Sequence, residues 1–147
     1  MLEGHDILYL GIREWESITQ RPQHLATGLA ERNRVLFVNR PRSFRNFWRR
    51  VRAGQPIIPR PLQVRPNLFV YPSWPFLPWD SYSSLIGQVN YRLLAMTLRR
   101  EMDRLGFRDP ILWLSFPLCV ELLGRLPAQL TCYDCMDNYP LLHSGRR

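Results

Sequence analysis

The residues best suited to chemistry follow the apolar runs of the chain. Two aspartates, Asp134 and Asp137, occur in the segment YDCMDNY, where the last apolar run ends. A carboxylate at such a point could accept a proton from a hydroxyl group or hold a sugar by hydrogen bonds. Turn formation or helix capping is the structural alternative for acids in this position. We predict a catalytic role for both aspartates, with the capping alternative left open.

A second group of polar residues begins the first predicted helix. Arg21, Gln23 and His24 fall in its first turn, within the segment RPQH. The N–H groups and the dipole at a helix start favour a nearby phosphate or carboxylate, and basic side chains strengthen that preference. The alternative is that these residues pack against the neighbouring loop. We predict that they bind substrate.

Aromatic residues form a third candidate site in a proline-rich loop. Trp74, Phe76, Trp79 and Tyr82 lie close together in the sequence. Their rings could stack on sugars or sit at a lipid interface, and a lid over the core would use the same residue types. Trp74 and Trp79 are predicted to contact the substrate.

Two other motifs predict neither a metal site nor dinucleotide binding. Cys132 and Cys135 form a CxxC, but they lie along an apolar strand, and no second CxxC completes a tetrahedral ligand set. A metal site here would have His143 as its only nearby additional ligand. Buried thiols are therefore the favoured interpretation. Gly11 ends the first apolar run, but GIREWE does not match the glycine pattern GxGxxG.

The elements that position these groups alternate between strands and helices. Continuous apolar runs predict buried strands, and a helix capped by Thr19 lies between the first two. A second helix, SSLIGQVNYRLLAMTLRREMDRLGF, has Ile86, Val89, Leu93 and Met96 on one face, and a third is predicted over PLCVELLGRL (117–126). The predicted class is α/β: one Rossmann-like parallel sheet with flanking helices. The predicted strands are 7–11, 35–39, 68–72, 111–115 and 130–135.

Residues 41–80 interrupt this alternation. They hold eight of the thirteen prolines, which predicts an irregular excursion. The net charge of +8 also concentrates here, because residues 40–65 contain eight arginines and no acid. A short helix over SFRNFWRRV would place aromatics on one face and arginines on the other, as membrane-surface helices do. The predicted membrane-binding residues are Arg42, Arg45, Trp48, Arg49, Arg50 and Arg52.

Docking of those aromatics on the domain's own core is the alternative interpretation of this helix. Nucleic acid is a less favoured partner, because no known nucleic-acid-binding motif accompanies the arginines. The start of the chain, MLEGHDILYLGI, lacks the features of a signal peptide, and no apolar run approaches the ~18 residues of a membrane span. We therefore predict a cytoplasmic protein on the inner face of the membrane.

Four segments in order resemble the amino-terminal half of bacterial two-domain (B-type) glycosyltransferases, in particular the family 4-like and teichuronic acid biosynthesis-like group. The first strand is followed by Trp15 and then RPQHLA (21–26). RVLFVNRP (34–41), ILWLSFP (111–117) and YDCMDNY (133–139) follow in the expected order. The resemblance covers nearly the whole chain.

This resemblance implies two facing Rossmann-like domains, the first for the acceptor and the second for the nucleotide sugar. Residues 1–147 would be the first, incomplete at its carboxyl end, with the donor-binding domain absent and no activity on its own. The implied acceptor is a glycan or lipid-linked molecule, the nucleotide sugar is a co-substrate, and neither metal nor other cofactor is required. Trp15 joins the predicted substrate-binding residues on this basis. A non-catalytic α/β module that binds an anionic membrane or nucleic acid through the arginine-rich segment is the alternative function.

Overall fold

Six short strands form one sheet in the computed structural model, which describes residues 2–41, 51–54, 58–73, 76–77 and 84–135. Each described strand has four or five residues, and helices connect most of them. The strands are β1 (Asp6–Leu10), β2 (Arg34–Val38), β3 (Leu62–Arg65), β4 (Leu68–Tyr71), β5 (Ile111–Leu114) and β6 (Leu130–Tyr133). The helices are α1 (Arg21–Ala30), α2 (Ser84–Leu105) and a 3₁₀ helix (Pro117–Leu122).

The strand order is β3-β4-β2-β1-β5-β6, and every neighbouring pair is parallel except β3 with β4. Counted alone, the five parallel strands follow the order 3-2-1-4-5 that is found in Rossmann folds. The prediction of an α/β fold with a largely parallel sheet is confirmed. The architecture is compatible with the Rossmann-like class.

Helices cover both faces of this sheet, because the central strands are apolar on both sides. Ile7 and Tyr9 of β1 pack with α1 on one face, and Leu8 and Leu10 pack with α2 on the other. All five residues of β1 are buried. The continuous apolar runs were therefore correct indicators of strands enclosed on both faces.

Three local predictions were wrong. The residue that precedes α1 as its cap is Gln20 instead of Thr19, and its backbone N–H donates to Gln23 Oε1 at 3.1 Å. The predicted helix over 117–126 is a six-residue 3₁₀ helix, which ends because Leu123 is extended and Gly124 has a φ of +69°. A strand, β3, lies inside the predicted irregular excursion, where it pairs with β4.

The face that α2 buries is centred on Leu94 and Leu98. It also includes Asn90, whose side-chain oxygen accepts a hydrogen bond from the Leu77 backbone N–H at 2.9 Å. Of the stripe noted in the sequence, Val89, Leu93 and Met96 are exposed. α2 therefore carries one apolar face toward the sheet and further apolar residues toward solvent.

Gly11 is required for packing at the end of β1. A Cβ at this position would lie 2.4 Å from the tip of the buried Phe37 ring. We expect Gly11→Ala to lower the free energy of unfolding by about 1–3 kcal/mol, because the ring must shift in a filled core. Gly28→Ala is the control, since that helical position is open and alanine there should stabilise by up to about 1 kcal/mol. Urea denaturation of both variants checks the prediction, and equal stabilities would contradict it.

Candidate functional site

The carboxyl ends of the parallel strands bring together two of the predicted site residues. Asp134 directly follows β6, and its backbone N–H donates to the Leu114 carbonyl at 2.8 Å. Arg21, the first residue of α1, reaches across and its Nη2 lies 2.9 Å from Asp134 Oδ1. The two residues are 113 positions apart in the sequence, so the fold alone creates this pair.

Only one of the two oxygens of the Asp134 carboxylate has a hydrogen-bond partner among the described residues. Its side chain is only 10% exposed, whereas that of Arg21 is 63% exposed. The second oxygen, Oδ2, is buried and has no hydrogen-bond partner among the described residues. Because buried polar atoms in proteins are nearly always hydrogen-bonded, this oxygen is a candidate contact for a ligand hydroxyl or a water molecule.

Two residues that the sequence analysis did not select lie on the same face of the sheet. Tyr9 of β1 is beside Ser115 and Asp134, and burial raises the pKa of its hydroxyl to about 12, with the charge of Asp134 adding to the rise. Ser115 and Arg21 act on this pKa in the opposite direction. The Tyr9 hydroxyl is therefore protonated at neutral pH and can donate a hydrogen bond.

Trp113 of β5 is the second residue that the sequence analysis did not select. Its ring stacks on that of Tyr9, with the centroids 6.1 Å apart, and its Nε1 is buried with no partner in the described part of the chain. Trp113 is paired in register with Cys132, which lies two residues before Asp134. The side chains of Trp113 and Asp134 therefore leave the sheet on the same side. Within the described residues, a donor on β5 and an acceptor just after β6 therefore lack partners and lie on the same side of the sheet.

The other two residues predicted at the start of α1 differ in their surroundings. The Gln23 side chain is buried: its oxygen accepts from the Gln20 N–H, and its nitrogen donates to the Glu14 carbonyl at 3.2 Å. These bonds hold the loop after β1 against the helix. His24 is exposed beside them. Arg21 and His24 are thus the members of this group that face outward.

Trp15 lies in the loop between β1 and α1 and packs inward. Its ring meets Phe37 edge to face with the centroids 5.1 Å apart. Its backbone N–H donates at 2.8 Å to Oδ1 of the buried Asn39, whose amide nitrogen reaches Glu16 Oε2 at 3.3 Å. The loop that carries Trp15 is therefore fixed to the end of β2.

A cleft opens at the same edge of the sheet on the α2 side. It has a volume of about 110 Å³ and lies between β1, β2, α2 and the 3₁₀ helix. Its lining includes Leu10, Phe76, Tyr91 and Cys119, with Arg40 over the Phe116 ring at 4.8 Å. The cleft therefore offers an apolar surface next to one guanidinium group.

The three cysteines differ in their exposure. None of the three is in a disulfide. Burial raises the pKa of Cys119 to about 12, so its thiol stays protonated in the wall of the cleft. Cys132 is half-buried and Cys135 exposed, so the prediction that both are buried was wrong for Cys135. Within the described ranges, no three His, Cys, Asp or Glu side chains cluster as metal ligands do.

Several predicted residues lie outside the part of the chain that the structure describes. Among the predicted membrane-binding residues, Arg52 is described, and it is exposed. In the described ranges no helix combines the length and the apolar character needed to cross a bilayer. The predicted residues outside these ranges are Asp137, Trp74, Trp79, Arg42, Arg45, Trp48, Arg49 and Arg50.

Comparison of the chain with protein-family models, with curated proteins and with solved structures gives no match. Its function must be inferred from the fold and from the groups at the carboxyl edge of the sheet.

Proposed function

We propose that this domain binds the acceptor in a nucleotide-sugar-dependent glycosyltransferase that builds a cell-surface polysaccharide or lipid-linked glycan. The observation that carries this proposal is the Asp134 carboxylate, which is nine-tenths buried, held by Arg21 and left with one oxygen that has no partner in the described structure. Ligands of parallel α/β sheets bind at this edge. The sequence resemblance supports the same assignment.

The proposed chemistry follows from the two carboxylate oxygens. Oδ2 accepts a hydrogen bond from an acceptor hydroxyl and takes its proton as the hydroxyl oxygen attacks the anomeric carbon of the donor sugar. Arg21 holds Oδ1 and so sets the direction in which Oδ2 points. The Tyr9 hydroxyl and the Trp113 indole N–H supply further hydrogen bonds to the acceptor. The diphosphate of the donor is the leaving group, and we assign its binding to a second domain outside these residues.

The apolar cleft supports a lipid-linked acceptor. Its walls of Leu10, Phe76 and Tyr91 suit a hydrocarbon chain, and Arg40 at its lining suits an anionic linker such as a phosphate. We propose that the protein acts in the cytoplasm, on the inner face of the membrane. No metal or cofactor is assigned a role in this proposal.

Binding of octyl glycosides tests this assignment, because these molecules combine a sugar with a short apolar tail. We expect saturation-transfer NMR to show contacts to the sugar ring and to the tail. Asp134→Asn should weaken binding about fivefold or more through loss of a charged acceptor. Asp109→Asn is the matched control, since this exposed aspartate has a φ of +40°, which asparagine tolerates.

Two results would contradict the proposal. One is equal loss of sugar-ring contacts in both variants, and the other is binding of the alkyl tail with no contact to the sugar. Tight binding to RNA or DNA without sugar binding would favour the alternative, a non-catalytic binding module.

A further inference from the structure

The outward side of α2 has an apolar stripe. Leu85, Val89 and Met96 are 71%, 47% and 60% exposed. At a rise of 1.5 Å per residue they span ~16 Å along one side of the helix. The opposite side packs Leu94 and Leu98 into the core. A helix that only covers a sheet needs one apolar face, so the exposed stripe requires a different explanation.

Arginines surround this stripe. Arg92, Arg99 and Arg100 are exposed, and residues 84–100 contain no acidic residue. At 100° per residue, Arg92 and Arg100 lie on the two sides of the stripe. Glu101 is buried and its carboxylate accepts from Arg104 at 2.7 Å. The exposed Asp103 lies on the same side of the helix, two turns beyond Met96. Over residues 84–100 the exposed surface of α2 is therefore apolar at its centre and positively charged at its margins.

We propose that this α2 surface, formed by Leu85, Val89, Arg92, Met96 and Arg100, rests on an anionic phospholipid bilayer. Apolar side chains enter the boundary between headgroups and acyl chains, while arginines at the same depth pair with lipid phosphates. The buried side of α2 remains on the sheet, so the helix lies parallel to the membrane plane.

A second copy of the chain fits this surface less well. In a two-fold symmetric contact the same patch faces itself, so the arginines of one copy would approach those of the other. Juxtaposed like charges oppose such an interface, whereas the negative surface of a bilayer complements them. The charge pattern therefore favours lipid.

A bilayer bound to α2 would lie close to the apolar cleft, because the same helix contributes to the lining of that cleft. The helix starts beyond the carboxyl end of β4, and its residues Tyr91 and Leu94 line the apolar cleft. A bilayer against the outer side of α2 would thus lie near the cleft. Delivery of a lipid-linked acceptor to that cleft rests on the proposed function, but the bilayer contact does not, because it is measured without any sugar.

Vesicle flotation tests the contact directly. The unmodified chain should float with mixed phosphatidylglycerol–phosphatidylcholine vesicles at low salt, and about 0.5 M salt should release it, because screening weakens the attraction. Each arginine near an anionic surface strengthens binding about fivefold, so Arg92→Gln with Arg100→Gln should weaken it about 25-fold. Arg92→Lys with Arg100→Lys keeps both charges and should retain binding. Val89→Gln with Met96→Gln should also release the protein.

The matched control is Ile18→Gln with Arg32→Gln, which removes one exposed apolar and one exposed basic side chain away from α2. Any contribution from residues 42–52 is common to all these variants, so differences among them report on α2. Circular dichroism confirms that each variant is folded. Wild-type flotation of both glutamine variants of α2 would overturn the inference. So would equal binding to pure phosphatidylcholine vesicles, or sedimentation velocity showing that these substitutions convert a dimer into a monomer.

Discussion

Replacing Asp6 with alanine is expected to lower the free energy of unfolding by about 2–4 kcal/mol. Asp6 is buried at the start of β1, and its carboxylate accepts from Arg34 Nε at 2.7 Å and from Arg34 Nη2 at 2.8 Å. The Arg108 backbone N–H donates to the same carboxylate at 2.7 Å. Its loss leaves several donors unpaired in a region that is only partly open to water.

Arg34 extends this hydrogen-bond network, because the same guanidinium also donates to the Leu105 and Gly106 carbonyls at 3.1 and 2.8 Å. It thereby links β1 and β2 to the end of α2. Lysine cannot reproduce this forked geometry, so Arg34→Lys should recover little of the stability that Arg34→Ala loses. Both variants, together with Asp6→Ala, are compared by urea denaturation.

Glu3→Ala is the matched control, because it removes the partner of Arg32 in an ion pair whose two side chains are more than half exposed. Such exposed pairs contribute about 0–1 kcal/mol. If Asp6→Ala lowers the free energy of unfolding no more than Glu3→Ala does, the buried carboxylate does not stabilise the sheet in the way described.

The buried strands were the most predictable part of the fold. β1 and β2 lie in the middle of the sheet, where both faces must be apolar, and this requirement leaves a continuous run in the sequence. β3 lacks a continuous apolar run, because it is an exposed edge strand whose residues include Gln63 and Arg65. Its antiparallel pairing with β4 depends on a turn at Asn67, which has a φ of +62°.

The packing of α2 was harder to predict. Its sequence is apolar on more than one side, so periodicity does not identify the side that meets the sheet. The buried side includes the polar residue Asn90, which is tolerated because its amide binds the backbone of Leu77. A hydrophobic pattern would assign Met96 to the core before Asn90, although Met96 is exposed.

At the candidate site, the sequence predicted which elements carry Asp134 and Arg21 but not that the two side chains form a pair. Asp134 was predicted at the carboxyl end of a strand and Arg21 in the first turn of a helix, and the parallel arrangement brought them to the same edge. Tyr9 and Trp113 were overlooked because they occur inside apolar runs, where their rings serve the core. Only the register of the strands shows that their polar atoms are on the same side of the sheet as Asp134.

In a glycosyltransferase that contains this domain, Asp134→Asn is expected to lower kcat by about 10²–10⁴-fold, since a positioned base typically contributes that factor. KM for the acceptor should rise much less, by about the fivefold expected for binding, because the amide still offers an oxygen to the hydroxyl but without its charge. Stability should stay within about 1 kcal/mol, since the lost ion pair involves a largely exposed Arg21. Steady-state kinetics and thermal unfolding of the same preparations separate these effects. Asp109→Asn is again the control.

The opposite pattern identifies a structural role. If Asp134 only ties β6 to α1, Asp134→Asn and Arg21→Gln should melt earlier by similar amounts and keep full turnover. If Asp134 is the base, Arg21→Gln should reduce kcat less than Asp134→Asn, because it disturbs the direction of the carboxylate while leaving the proton acceptor in place. Asp137→Asn, outside the described residues, is measured in parallel. A loss of turnover at Asp137 with none at Asp134 would transfer the catalytic assignment to Asp137.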